Sequence, residues 1–152
     1  MSLEEIIETC GKNNYEVVGP AKVENYKLAF TRKSGRWCSM GVADLRPAPG
    51  SVAYGILYKI NDLAKKRIDI REGYAEGRDL SSNAYNCLPV IVKLMNSDQS
   101  LEAVCYFANR QADFIQPLRR YLDILIMGAQ KNGLPEEAIL DIKKKGKYDS
   151  SY

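Results

Sequence analysis

The chain has 152 residues, of which 45% are apolar and 27% charged, so one globular core is expected and neither a disordered nor a fibrous class fits. The net charge of +3 and the pI near 8.6 fall short of the clustered basicity of a nucleic-acid binder. There is no histidine, which excludes imidazole-based nucleophile pairs and most catalytic zinc sites.

The predicted elements run as follows. Ser2 and Glu5 have the spacing of a capping box, with Leu3, Ile6, Ile7 and Cys10 on one helical face and Gly11 as a stop. Extended runs follow at 27–31 (KLAFT), 41–45 (GVADL) and 52–60 (VAYGILYKI), the last two separated by the turn-forming PAPG. Residues 62–70 (DLAKKRIDI) put Leu63, Arg67 and Ile70 on one face of a short helix that Gly73 ends in the left-handed region, with Glu72 in the last turn. The polar segment YAEGRDLSSN then leads to two strands, CLPVIVKL and LEAVCYFA. Beyond Pro117, Leu118, Tyr121, Leu122, Leu125 and Ala129 form an amphipathic stripe stopped near Gly133, and Pro135 with Glu136 and Glu137 opens a final helix. No linker or repeat divides residues 1–152, which read as one α+β domain with a largely antiparallel, barrel-like sheet and a basic tail from about 143.

Four cysteines without a CxxC pair fit reduced thiols, and no apolar stretch approaches the roughly 18 residues of a membrane span. A cytoplasmic protein with no membrane or nucleic-acid partner is expected. The lysines at 143, 144, 145 and 147 read as a solvated helix end.

Without histidine and without a GxxxxGK or GxGxxG loop, an enzyme built on this chain would use a carboxylate as its base. Glu72 is one candidate. A helix C-terminus carries partial negative charge, so a glutamate there is locally unfavourable and is either an ordinary surface residue offset by Arg71 or a carboxylate kept for chemistry. Glu76 reads as solvated. Tyr54, Tyr58, Tyr85 and Tyr106 fall on or beside strands, where they pack, and Trp37 reads as a packing anchor.

In order, YKLAF (26–30), RW with GVADLRPAPGS (36–51), YGILYKI (54–60), IDxxEG (68–73), NAY (83–85), CYF (105–107) and YLDILIMGAQKNGLPEE (121–137) resemble the gamma-glutamylcyclotransferase family over most of the chain. The resemblance implies a small mixed, barrel-like β-sheet with flanking helices, around a cavity that binds a γ-glutamyl compound. It implies conversion of that compound to 5-oxoproline with release of the attached amino acid or amine, no cofactor, and a possible homodimer. It implies Glu72 as the acid and base and Tyr106 as a substrate-binding hydroxyl. Gly41 ends the family's Trp-to-glycine stretch and is expected to allow close backbone approach at the cavity, although Cys38, Ser39 and Met40 stand where a glycine-rich run is usual. The family's first strand and its Tyr-Gly-Ser-Asn loop, which grip the γ-glutamyl part, precede a helix that resembles SLEEIIETC. They are therefore expected to be absent from these 152 residues, and the alternative to an enzyme is a truncated or non-catalytic binding member of the same fold.

Overall fold

The computed structural model describes residues 3–97 and 99–148. Helix α1 (Leu3–Cys10) ends at Gly11, whose φ of +81° stops it, and it buries Ile6 and Cys10. The expected Ser2 cap lies outside the described residues.

Strands β1 (Tyr15–Ser34) and β2 (Met40–Ile60) form one long antiparallel hairpin, joined by a short 3₁₀ turn at Gly35–Trp37 and by Cys38 and Ser39 with φ of 53° and 59°. Here the sequence expectation needs correction, because PAPG is not a turn between two strands. The register steps from Glu24↔Val52 to Tyr26↔Pro47, so residues 48–51 of β2 face only Asn25 of β1. Proline lacks a ladder donor and glycine tolerates positive φ, which makes PAPG a wide bulge that bends the hairpin without ending it. Asn25 adopts φ 65° and its Oδ1 accepts the amide of Gly50 at 3.0 Å, locking the bulge from the other strand.

Helix α2 (Asp62–Glu72) is capped by the Asn61 Oδ1, which accepts the Ala64 amide at 2.9 Å. It ends as expected at Gly73, with φ 65° and ψ 31°; the amides of Gly73 and Tyr74 donate to Ile70 O and Asp69 O. Its buried face differs from the predicted one. Ala64 and Ile68 are buried against Ile6 and Cys10, whereas Leu63 and Ile70 are 49% and 80% exposed. The apolar residues of α2 form two pairs, Leu63 with Ile70 and Ala64 with Ile68, separated by Arg67 and Arg71, and it is the second pair that meets α1.

Strands β3 (Tyr85–Leu94) and β4 (Ser100–Ala108) pair from Tyr85↔Ala108 to Lys93↔Ser100, and the four strands are ordered β2-β1-β3-β4, all pairs antiparallel. β1 meets β3 only at Ala21↔Leu94 and Lys22↔Lys93. The outer strands β2 and β4 curl toward each other and meet at Asp44, which makes the sheet barrel-like. Helices α3 (Arg119–Lys131) and α4 (Glu136–Lys145) cover one opening, packing Tyr121, Leu122, Ile126, Ala129 and Ile142 on Phe30 and Val42. Pro135 stands at the N-cap, one residue before the position expected for it. No helix among the described residues is long and apolar enough to cross a membrane.

Candidate active site

The end of α2 is held on both sides. The amide of Ala84 donates to Gly73 O at 3.1 Å, and a Cβ on Gly73 would stand 2.9 Å from the Ala84 Cβ, so only glycine lets the segment before β3 pass so close to Glu72. The loop from Tyr74 to Ala84 is pinned by amide side chains. Asn83 Oδ1 accepts the Ala75 amide, Asn83 Nδ2 donates to Asn86 Oδ1, and Asn109 Nδ2 donates to Leu80 O and Asn83 O at 2.6 and 2.5 Å. With Asn83 and Asn86 buried, this long connection is a built part of the site.

Around Glu72 stand two tyrosines that share one residue of β2. Tyr121 Oη accepts the Ala43 amide at 3.0 Å, and Tyr85 Oη donates to Ala43 O at 3.4 Å. Burial pushes the Glu72 carboxyl above the ordinary carboxylate range; the positive charges of Arg71 and Arg36 oppose that shift and Glu5 adds to it. The same negative charge is felt by the phenols. Tyr85 is raised by burial and then by Glu72, Tyr121 and Asp44, and Tyr121 is pushed up to about 12, mostly by burial. Among the described residues, the Glu72 carboxylate accepts no hydrogen bond, which leaves both oxygens available to a reacting group.

Tyr106 is tied to the same helix one turn earlier. Its hydroxyl donates to Asp69 Oδ1 at 2.5 Å, and Lys65 Nζ reaches the same oxygen at 2.5 Å while lying over the rings of Tyr74 and Tyr106 at 5.4 and 5.6 Å. Burial and this bond to Asp69 hold the Tyr106 phenol well above its usual range. Asp69 and Glu72 are thus i, i+3 neighbours on α2 that anchor to β4 and approach the β3–α3 tyrosines respectively. Gly41 lies elsewhere. Its amide donates to Gln116 O at 3.0 Å, and a Cβ there would stand 2.0 Å from Ile115 O, so the close approach it permits is that of the chain's own 115–116 segment.

Two cavities flank Glu72, and it lines neither. One, of about 440 Å³, is the interior between the four strands and α3, mostly apolar, with Asp44, Asn132 and the tyrosines Tyr54, Tyr58 and Tyr106 among its polar lining and Ala43 on its wall. The other, of about 540 Å³, is an open crevice between α1, the 3₁₀ turn and α2, whose Arg36 and Arg71 act on the Glu72 charge. Trp37 lines the crevice and packs its ring 4.9 Å from that of Tyr121. Asp44, buried at 4%, accepts Thr31 Oγ1 at 2.6 Å and the Ala108 amide at 2.8 Å. Among the described residues, no group of three or more His, Cys, Asp or Glu is placed to hold a metal ion.

Sequence reading placed Glu72 and Tyr106 on elements that meet, but it missed Asp44, took Tyr121 for part of an apolar stripe, and named no partner for the Tyr85 hydroxyl. An aspartate inside the apolar run GVADL was the available signal, since lone carboxylates are rarely buried without a structural or chemical reason.

A model of the AIG2-like family matches residues 52–141. The gamma-glutamylcyclotransferases of Bos taurus and Homo sapiens are 25% and 26% identical to the chain, over 77% of its length. The chain spans 60% of the length of those curated relatives. A solved gamma-glutamyl cyclotransferase structure superposes with a TM-score of 0.78 at 24% identity, covering 92% of this chain and 79% of that one.

Proposed function

The chain belongs to the AIG2-like family, and from that premise we propose that it is a gamma-glutamylcyclotransferase-type enzyme, converting a γ-glutamyl compound to 5-oxoproline with release of the attached amino acid or amine. The observation that carries the proposal is the Glu72 carboxyl, half-enclosed at a pinned helix end, raised by burial and unengaged by any hydrogen bond among the described residues. The relatives named gamma-glutamylcyclotransferase support the same reading.

The reaction suits a single carboxylate. The substrate carries its own nucleophile, the α-amine, which closes a five-membered ring on the γ-carbonyl, and holding the two groups in contact supplies much of the rate. Glu72 first takes a proton from the α-ammonium. The C–N bond to the γ-carbonyl forms, the protonated Glu72 gives its proton to the departing nitrogen as the bond to it breaks, and the ring nitrogen passes its second proton through Glu72 to the released amine, so that a neutral lactam and an ammonium leave and Glu72 is again a carboxylate. A carboxylate of ordinary pKa is a weak base toward an ammonium and is scarcely protonated near neutral pH, and the upward shift of Glu72 moves it toward both tasks. In this reading Tyr106 borders the substrate cavity and its hydroxyl, already donating to Asp69, offers a lone pair to the substrate. Gly41 contributes shape, letting the 115–116 segment lie on β2 beside the Ala43 residue that Tyr85 and Tyr121 clasp.

A second reading, a binding protein of the same family without turnover, draws on one observation: Glu72 is on the wall of neither cavity. The two are separated by Glu72→Gln. An enzyme loses 5-oxoproline formation by about two to four orders of magnitude with its fold kept; a non-catalytic binder forms none in either version.

A further inference from the structure

The crevice beside Glu72 has a polar lining that its own ion pairs do not exhaust. Its walls carry Arg36, Arg67 and Arg71 against Glu5 and Glu8. Arg71 is committed: it donates to Thr9 Oγ1 and to Glu5 Oε1, both at 2.7 Å, and its side chain is 15% exposed. Arg67 donates to Cys10 O at 2.9 Å and so ties α2 to the end of α1. Arg36 is different. It stands at the turn between β1 and β2, exposed, with no hydrogen bond or ion pair among the described residues, yet near enough to Glu72 to lower its pKa.

A second feature of the same crevice is apolar. Ile70, on the outer face of α2, is 80% exposed, and Trp37 shares the lining with it. An uncommitted guanidinium beside an exposed aliphatic side chain and an indole suits a ligand with a carboxylate and a small apolar group, since a guanidinium matches a carboxylate bidentately. An amino acid has that chemistry.

We propose that this crevice is the subsite for the leaving half of the substrate, with Arg36 binding its carboxylate and Ile70 and Trp37 facing its side chain. Arg36 is then a specificity residue that favours γ-glutamyl amino acids over γ-glutamyl amines. The proposal rests on the cyclotransferase reading, because it places the departing nitrogen between Glu72 and Arg36.

The test compares γ-glutamyl-alanine with γ-glutamyl-ethylamine, which differ by the carboxylate alone. In Arg36→Ala the ratio of kcat/KM for the first over the second should fall by about 10- to 100-fold, the size of one charge-assisted contact. An unchanged ratio, whether both rates fall together or neither does, overturns the subsite. If the native chain forms 5-oxoproline from neither compound, the activity has failed and the subsite is judged by binding. Trp37 is the sole tryptophan, so its fluorescence reports on the crevice. Saturable binding of γ-glutamyl-alanine that Arg36→Ala weakens by the same factor, with γ-glutamyl-ethylamine binding no better to the native chain than to the variant, sustains it. No saturable change with γ-glutamyl-alanine overturns it.

Discussion

Ala108 at the end of β4 donates its amide to the carboxylate of Asp44 on β2 at 2.8 Å, joining the two outer strands of the sheet through a side chain. The other carboxylate oxygen takes the Thr31 hydroxyl at 2.6 Å, so each oxygen has a donor and the charge is buried but satisfied. Asp44→Asn keeps the size and replaces one acceptor by a donor that faces another donor. It should destabilise the fold by about 1–3 kcal/mol, read as a lower denaturant midpoint with an unchanged slope. A midpoint equal to that of the native chain would show that the barrel does not depend on this closure.

Gly41 gives a steric prediction. The Ile115 carbonyl occupies the place of a β-carbon, and backbone cannot swing aside as a side chain would. Gly41→Ala should cost about 1–3 kcal/mol in the same unfolding experiment, as other overpacked positions do. Gly55, with open space at the corresponding point, serves as the comparison and should tolerate alanine far better.

Tyr106→Phe separates two uses of one hydroxyl. If its main work is to hold α2 through Asp69, phenylalanine lowers stability by about 1–3 kcal/mol, the range for a hydrogen bond to a charged group, and lowers kcat through a displaced Glu72. If it also touches substrate, KM rises as well. Steady-state constants measured at a temperature well below the unfolding transition distinguish the two.

The pH behaviour of Glu72 has a definite sign. Its folded pKa lies above the unfolded carboxylate value, so between the two the native state binds more protons and stability falls as pH rises through that window. Glu72→Gln removes the ionisation. The variant should therefore be the more stable form at neutral pH, with its advantage shrinking as the pH falls through the raised folded pKa and gone below the unfolded carboxylate value of 4.5. Arg36, Arg71 and Glu5 supply the competing charges, and Tyr85 and Tyr121 remain protonated across this range. Thermal or denaturant midpoints of both chains from mildly acidic to neutral pH check it, and an advantage that grows toward acid contradicts it.

The parts of the fold governed by local signals were legible. Gly73 announced the end of α2, branched and aromatic residues marked β3 and β4, and the stripe from Leu118 to Ala129 marked α3. PAPG misled because its local chemistry is that of a turn, while the residue that turns it into a bulge, Asn25, lies on the partner strand. The buried face of α2 was misread for a related reason: a helix whose few apolar residues fall in two pairs with arginines between them is oriented by what it docks against, here Ile6 and Cys10. In the candidate site, Glu72 stood out in sequence through the EG element. The clasp of Ala43 by Tyr85 and Tyr121 did not, since it joins residues up to 78 positions apart and only the closed sheet brings them together.

The most direct test of the central claim is the appearance of 5-oxoproline, together with an equal amount of free amine, when the native chain is incubated with a panel of γ-glutamyl amino acids and amines. The account predicts equimolar release from at least one member and its loss in Glu72→Gln at an unfolding midpoint no lower than that of the native chain. Turnover that persists in Glu72→Gln, or a native chain that binds these compounds and releases nothing, would contradict it.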